Sequence, residues 1–341
     1  MDLTTGRWRR RLVPALAASV LVVLVSGCGA PRGTSSTTTS TTRPTTTTAA
    51  PAPTPWSRPS PPVDADHRIM ALSCPRSTFC MALTSAGSAY RYDGTSWSSP
   101  LPVTPGGSPP SPPAAYLSCT SPTFCMAIPG GNDVVMWNGL GWVDAQTLDG
   151  AQGLQAVACA SGSFCVAVDG EGNAFYYDGT WSRGVGAWGG PSADSCPTAS
   201  FCMATAGGTA RWNGQDWTQP EDVDTSGQLE TVSCTSPSFC VAADSVGNVL
   251  AWNGTSWSVP QQVDPATSGA ATGANAIASV SCVGRSFCVA VDRGGRALTF
   301  DGTTWSTPAD IDGPTGLVTV SCATTSFCLA VDDHGRTLTY G

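Results

Sequence analysis

Thr231-Val232-Ser233-Cys234-Thr235-Ser236-Pro237-Ser238-Phe239-Cys240-Val241-Ala242-Ala243-Asp244 opens the stretch that decides the fold, and Ser245-Val246-Gly247-Asn248-Val249-Leu250-Ala251-Trp252-Asn253-Gly254-Thr255-Ser256-Trp257-Ser258 completes it. Residues 229–234 form a short β-rich run, and 235–238 read as a turn. A second run (239–243), a second turn (244–247), a third run (248–252), a third turn (253–256) and a fourth run (257–263) follow. Four short strands joined by tight turns in about 40 residues make an antiparallel unit too small to bury its own core.

The unit recurs. Cysteines fall in the pairs Cys74/Cys80, Cys119/Cys125, Cys159/Cys165, Cys196/Cys202, Cys234/Cys240, Cys282/Cys288 and Cys322/Cys328, each spaced C-x5-C. With Cys28 they account for all 15 cysteines of the 341-residue chain. Phe precedes every second cysteine, and Met, Val or Leu followed by Ala comes after it. Asp-Gly or Asn-Gly recurs at the third turn: Asp93-Gly94, Asn138-Gly139, Asp178-Gly179, Asn213-Gly214 and Asp301-Gly302. Such dipeptides tolerate the positive φ of tight hairpins. The pattern predicts an all-β, seven-bladed β-propeller of four-stranded antiparallel blades, with about 41 residues per blade over 56–341.

The two ends of the repeat region predict how the ring closes. The seventh repeat stops at Leu338-Thr339-Tyr340-Gly341, where its neighbours continue into Gly-Thr-x-Trp-Ser. Trp56-Ser57-Arg58-Pro59, then Val63-Asp64, matches Trp257-Ser258-Val259-Pro260, then Val263-Asp264. The N-terminal segment can therefore supply the outer strand of the last blade. Closure removes the unpaired edges that an open array would leave.

Residues 1–55 have a different character. Arg7, Arg9, Arg10 and Arg11 precede an apolar run over 12–25, which is short for a bilayer span and reads as a signal peptide. Leu24-Val25-Ser26-Gly27-Cys28 resembles the lipobox of bacterial lipoprotein precursors. The resemblance implies cleavage after residue 27, a diacylglycerol on the Cys28 thiol and anchoring to the outer face of the cytoplasmic membrane or cell envelope. Residues 28–55 are rich in Thr and Pro, lack apolar periodicity and are expected to form a disordered stalk carrying the propeller at 56–341.

Residues 56–341 carry 23 Asp plus Glu against 10 Arg and no Lys, a formal charge of −13. That balance excludes nucleic acid as a main partner. Zinc sites use closer spacings and converging Cys/His sets, and redox catalysis uses a single C-x-x-C. Seven equivalent pairs flanking hairpin turns instead predict structural disulfides in an oxidising compartment. His67 and His334 are the only histidines, and turn chemistry accounts for His334. The carboxylates Asp310/Asp312 and Glu221/Asp222/Asp224 read as a solvated rim. The alternating oxygens of Asp169-Gly170-Glu171-Gly172-Asn173 fit an ordinary second turn better than a calcium loop. No catalytic residue, metal ligand or cofactor is assigned. The Trp residues after the Gly turns are expected to seal blades rather than stack on sugars.

The complete Ser-Cys-x5-Cys…Asp-Gly-x-x-Trp-Ser unit resembles the repeats of exported actinobacterial propeller lipoproteins, with a distant likeness to kelch and Asp-box propellers. The resemblance covers the chain from Trp56 onward and implies a fold rather than an activity. The expected role is a non-enzymatic, monomeric binding or scaffolding module that presents a loop face to an envelope protein or glycan. The alternative is an envelope enzyme acting on polysaccharide. The longest connections (106–114, 183–193 and 265–278) are the candidate recognition loops, with Trp188 as an exposed anchor.

Overall fold

The computed structural model describes residues 55–103, 116–148, 150–151, 153–183, 193–205, 207–266 and 273–341. The expected signal segment and stalk, Cys28, Trp188 and most of the three long connections lie outside the described residues. Each cysteine pair marks one sheet, numbered here as blades 1–7 in chain order. In blade 5 the strands Leu229–Ser236, Phe239–Asp244, Asn248–Trp252 and Gln261–Gln262 pair in sequence order, all antiparallel. The same antiparallel order recurs in every blade, with the fourth strand reduced to isolated bridges in blades 4 and 7, so the all-β, seven-bladed architecture stands.

The first strand of each blade is innermost and lies beside the first strands of both neighbours. The circuit closes where Ile69–Arg76 of blade 1 meets Leu317–Thr324 of blade 7. Second strands such as Phe239–Asp244 are buried along their whole length, because each is covered by a blade on either side. This sandwiching explains their unbroken apolar run. Seven apolar clusters fill the seams between blades.

The outer strand is shorter than the sequence predicts. In blade 5, Trp257 bridges Trp252, a two-residue ladder resumes at Gln261–Gln262, and Val259-Pro260 bulges between them. Pro260 has no N–H to offer a ladder. Ser258 spans the gap: its N–H donates to Ala251 O, and its Oγ accepts from Ala251 N at 3.0 Å. Ser98, Thr218 and Ser306 do the same for Arg91, Arg211 and Thr299. The hydroxyl of the Trp-Ser/Thr motif therefore stands in for a strand carbonyl.

Ring closure reuses this device. Trp56 bridges Tyr340 as Trp257 bridges Trp252, while Ser57 N–H donates to Thr339 O and Ser57 Oγ accepts from Thr339 N at 2.9 Å. Ser60 adds a second pair of bonds to Thr337. The N-terminal segment thus completes blade 7 in the register the sequence predicts.

Disulfides join Cys74–Cys80, Cys119–Cys125, Cys159–Cys165, Cys196–Cys202, Cys234–Cys240, Cys282–Cys288 and Cys322–Cys328. Each links the first and second strands of one blade across their hairpin. The Asx-Gly turns depart from a two-residue hairpin. Positive φ falls on the glycine alone (Gly94, +101°), while Asp93 Oδ1 accepts from the N–H groups of Thr95 and Ser96. This Asx turn also needs Gly94 for space, since a Cβ there would lie 3.2 Å from Thr78 Cα.

Candidate functional site: the loop face and the blade seams

Antiparallel order puts two kinds of segment on one face of the ring: the connections between blades and the turns between second and third strands. The disulfides and Asx-Gly turns occupy the opposite face. The described residues flanking the three long connections (103 and 116, 183 and 193, 266 and 273) lie at the first face, and since the connections between blades differ most in length along the sequence, this is the variable face.

At the mouth of the central channel on this face, a cavity of about 310 Å³ is lined by Arg68, Ile69, Met70, Ala278, Arg293, Leu317, Val318 and Asp333. Met70 is 39% exposed. Arg293 is ion-paired with Glu230 at 3.0 Å and remains largely exposed. The mouth thus combines an apolar patch with two guanidiniums, on a domain that is acidic elsewhere.

Deeper in the channel, the Ser of each Ser-Cys dipeptide is a strut between blades. Its hydroxyl accepts from the cysteine N–H of the next blade: Ser73 from Cys119, Ser118 from Cys159, Ser195 from Cys234, Ser233 from Cys282, Ser281 from Cys322 and Ser321 from Cys74, at 2.9–3.0 Å. Blade 3 has Ala158 at this position and cannot make the bond to Cys196.

The same seam holds an acid among apolar neighbours. Asp194 occupies the position filled by Leu72, Leu117, Val157, Val232, Val280 and Val320 in the other blades. Its Oδ2 is shielded from solvent and has no hydrogen-bond partner. Desolvation raises its pKa to about 8. The repeat alignment carried the signal for Asp194, because one column reads Leu/Val in six blades and Asp in the seventh.

The acidic rim requires a correction. Asp224 is 8% exposed and the Asp312 side chain 2% exposed, so neither is solvated. Their connections turn inward over the next blade and set each carboxyl beside the Asp that ends its second strand. Asp312 thereby meets Asp332, Asp264 meets Asp292, and Asp224 meets Asp244. Burial first, and then the neighbouring carboxylate, raise Asp264 to about 8 and Asp312 to about 7. Asp64 at the closing seam is instead held low: burial opposes, but the Asp66 and His67 amides, Tyr90 Oη and the His67 ring outweigh it.

The remaining sequence candidates resolve simply. Asp169 accepts from the Glu171 and Asn173 amides and from Asn173 Nδ2, which is turn capping. His334 sits in the corresponding turn capped by Asp332. The turn tryptophans pack on the aromatic ring ending the third strand in every blade, from Tyr92–Trp97 through Trp252–Trp257 to Tyr340–Trp56. They seal blades. The channel-mouth cavity carries one carboxylate, Asp333, and not the facing pair that glycoside hydrolysis needs.

No family model matches the chain, and no curated protein matches it. Among solved structures it is similar to YCF48 bound to D1 peptide, with a TM-score of 0.65 at 13% identity over 84% of this chain and 94% of that one. The RRP9 WD40 repeats give a TM-score of 0.66 at 11% identity, covering 83% and 99%. The WD40 β-propeller domain of Doa1 gives 0.63 at 7% identity, covering 84% and 96%. At these identities the likeness is one of fold, and the fold they share with this chain is the β-propeller.

Proposed function

We propose that this protein is an exported, lipid-anchored binding module without catalytic activity, whose loop face receives an extended segment of a protein partner at the channel mouth. The observation that carries this reading is the 310 Å³ cavity on the variable face, where Met70, Leu317 and Val318 lie beside Arg68 and Arg293. An apolar side chain and a carboxylate on one extended segment would be complementary to it. A solved propeller of similar fold holds a peptide, which supports a protein ligand over a glycan. Disulfides in every blade suit an oxidising compartment, and the Cys28 lipobox supplies the anchor.

A peptide-display selection against the purified chain tests the reading. Selected sequences should pair an apolar residue with Asp or Glu, and Met70→Asp and Arg68→Ala should each weaken their binding at least roughly tenfold, as loss of an interface anchor does. Peptides that bind both variants as well as the wild type would refute the channel-mouth site. Selective retention of oligosaccharides instead would favour the glycan reading.

A further inference from the structure

Three seams present the same frame with one residue changed. The Asp ending the second strand accepts, through Oδ1, from the amides two and four residues on: Asp244 from Val246 and Asn248, Asp292 from Gly294 and Arg296, Asp332 from His334 and Arg336. A second Asp arrives from the preceding connection in each case. Two carboxylates in contact inside a seam repel unless one keeps a proton or a cation lies between them.

Two seams supply that cation from the chain. Arg296 Nε donates to Asp292 Oδ2 at 2.6 Å, while its NH2 group lies 2.7 Å from Asp264. Arg336 Nε donates to Asp332, while its NH2 group reaches both Asp312 oxygens at 3.0 Å. In the seam between blades 4 and 5 the corresponding residue is Asn248, which is neutral. Its Nδ2 donates to Asp244 Oδ2 at 2.7 Å and to Ser226 Oγ at 3.0 Å. Asp224 Oδ1 accepts from Ser226, while Asp224 Oδ2 is buried with no donor group and the Asp224 carboxyl lies against that of Asp244. Asp224 is 8% exposed and Asp244 fully buried. Gly227 packs directly on Asp244, where a Cβ would lie 2.4 Å from Oδ2, so no side chain at 227 comes between the two carboxyls.

We propose that the seam between blades 4 and 5 is a calcium site, with Asp224, Asp244 and the Ser226 hydroxyl as oxygen ligands where a guanidinium sits in the other two seams. Hard oxygen donors and two carboxylates suit calcium, which completes its shell with water. Rotation of the Asn248 amide turns its oxygen toward the ion, an adjustment no arginine could make. The site holds blade 4 to blade 5, so its effect is structural.

The test uses the purified full-length chain and calcium chloride. Metal analysis after dialysis should find one calcium per chain, and the melting temperature in millimolar calcium should exceed that in EDTA by several degrees, as expected for a ligand that binds only the folded state. Asp224→Asn should abolish both effects. Asn248→Arg should abolish calcium binding while bringing the melting temperature in EDTA up toward the calcium-loaded wild type. Should Asn248→Arg fail to fold, the isosteric Asp224→Asn decides the matter alone. Identical wild-type melting in calcium and EDTA with no bound metal would overturn the proposal. A calcium shift that persists in Asp224→Asn would overturn it equally, by placing the ion elsewhere.

Discussion

Asp194→Val replaces the acid in the seam between blades 3 and 4 with a residue type used at the same position by blades 3, 5, 6 and 7. The wild-type carboxyl, raised by burial to about 8 from the ordinary aspartate value of 3.8, keeps its proton in the folded state and releases it on unfolding. Folding is therefore opposed by about 1.4 kcal/mol for each pH unit between those two values. Stability attached to this group is fully present below pH 3.8 and is lost as pH rises toward 8. At pH 7 the penalty is about 4 kcal/mol, and at pH 5 under about 2. For a domain of this size, about 4 kcal/mol corresponds to a melting-temperature gain of roughly 8 °C or more. Asp264 and Asp312 also keep raised pKa values and tilt the wild-type profile the same way. They are common to both proteins and cancel in the difference. The assay is the melting temperature of variant minus wild type from pH 4.5 to 7.5. That difference should grow steadily with pH. A difference independent of pH would refute the protonated, unpartnered carboxyl, and a destabilised variant would mean that Asp194 has a partner whose loss is costly.

Further outcomes follow from the same geometry. Ala158→Ser should supply the missing strut to Cys196 N–H and raise stability by about 0.5–1.5 kcal/mol in urea; no change would mean the inner strands of blades 3 and 4 are too far apart to bridge. Trp56→Ala empties a site 9% exposed and packed edge-on against Tyr340, so a loss of about 3–5 kcal/mol is expected, while deleting 31–53 should leave the unfolding midpoint unchanged. Cys28→Ser should release the protein from membranes into the soluble fraction, and unchanged membrane retention of the variant would rule out the lipid anchor. In hydrogen exchange, amides of the inner strand Ala193–Thr198 should open before those of Leu317–Thr324; the reverse order would place the weak seam at the chain ends.

The fold was legible because the repeat states it seven times. A C-x5-C pair fixes the first hairpin, an Asx-Gly dipeptide fixes the third turn, and the match of 56–64 to 257–264 fixes the closing register. The brevity of the outer strand was not legible, because Trp-Ser reads as β whether its serine extends a ladder or caps it with a side chain. The seam carboxylates were misread for a related reason. Asp224 and Asp312 lie in connections, where acids are usually solvated, and only the path of the chain shows them turning under the next blade. Asp194 was visible in the alignment of repeats, yet single-residue chemistry gave no reason to single out one acid among 23 in the domain. For a recognition surface the sequence offered only a candidate face, because loop length locates variability without naming what it contacts.

The natural expectation for a closed ring is that it is weakest where the chain ends meet, and the seams argue otherwise. Blade 7 is tied to the N-terminal segment by Trp56, by the paired bonds of Ser57 and Ser60, and by the strut from Ser321 to Cys74. The seam between blades 3 and 4 is continuous in sequence but lacks that strut. It places Asp194 where an apolar side chain belongs, and the sequence position at which four other blades carry the Asp ending the second strand is Ala206. Covalent continuity does not compensate, because one connection holds two blades only through whatever packing lies between them. The disulfides do not compensate either, since each closes a hairpin within one blade and none crosses a seam. The blades are thus individually stapled and collectively held by noncovalent seams of unequal strength. The junction of blades 3 and 4, not the one where the chain ends meet, is therefore the least constrained in the ring.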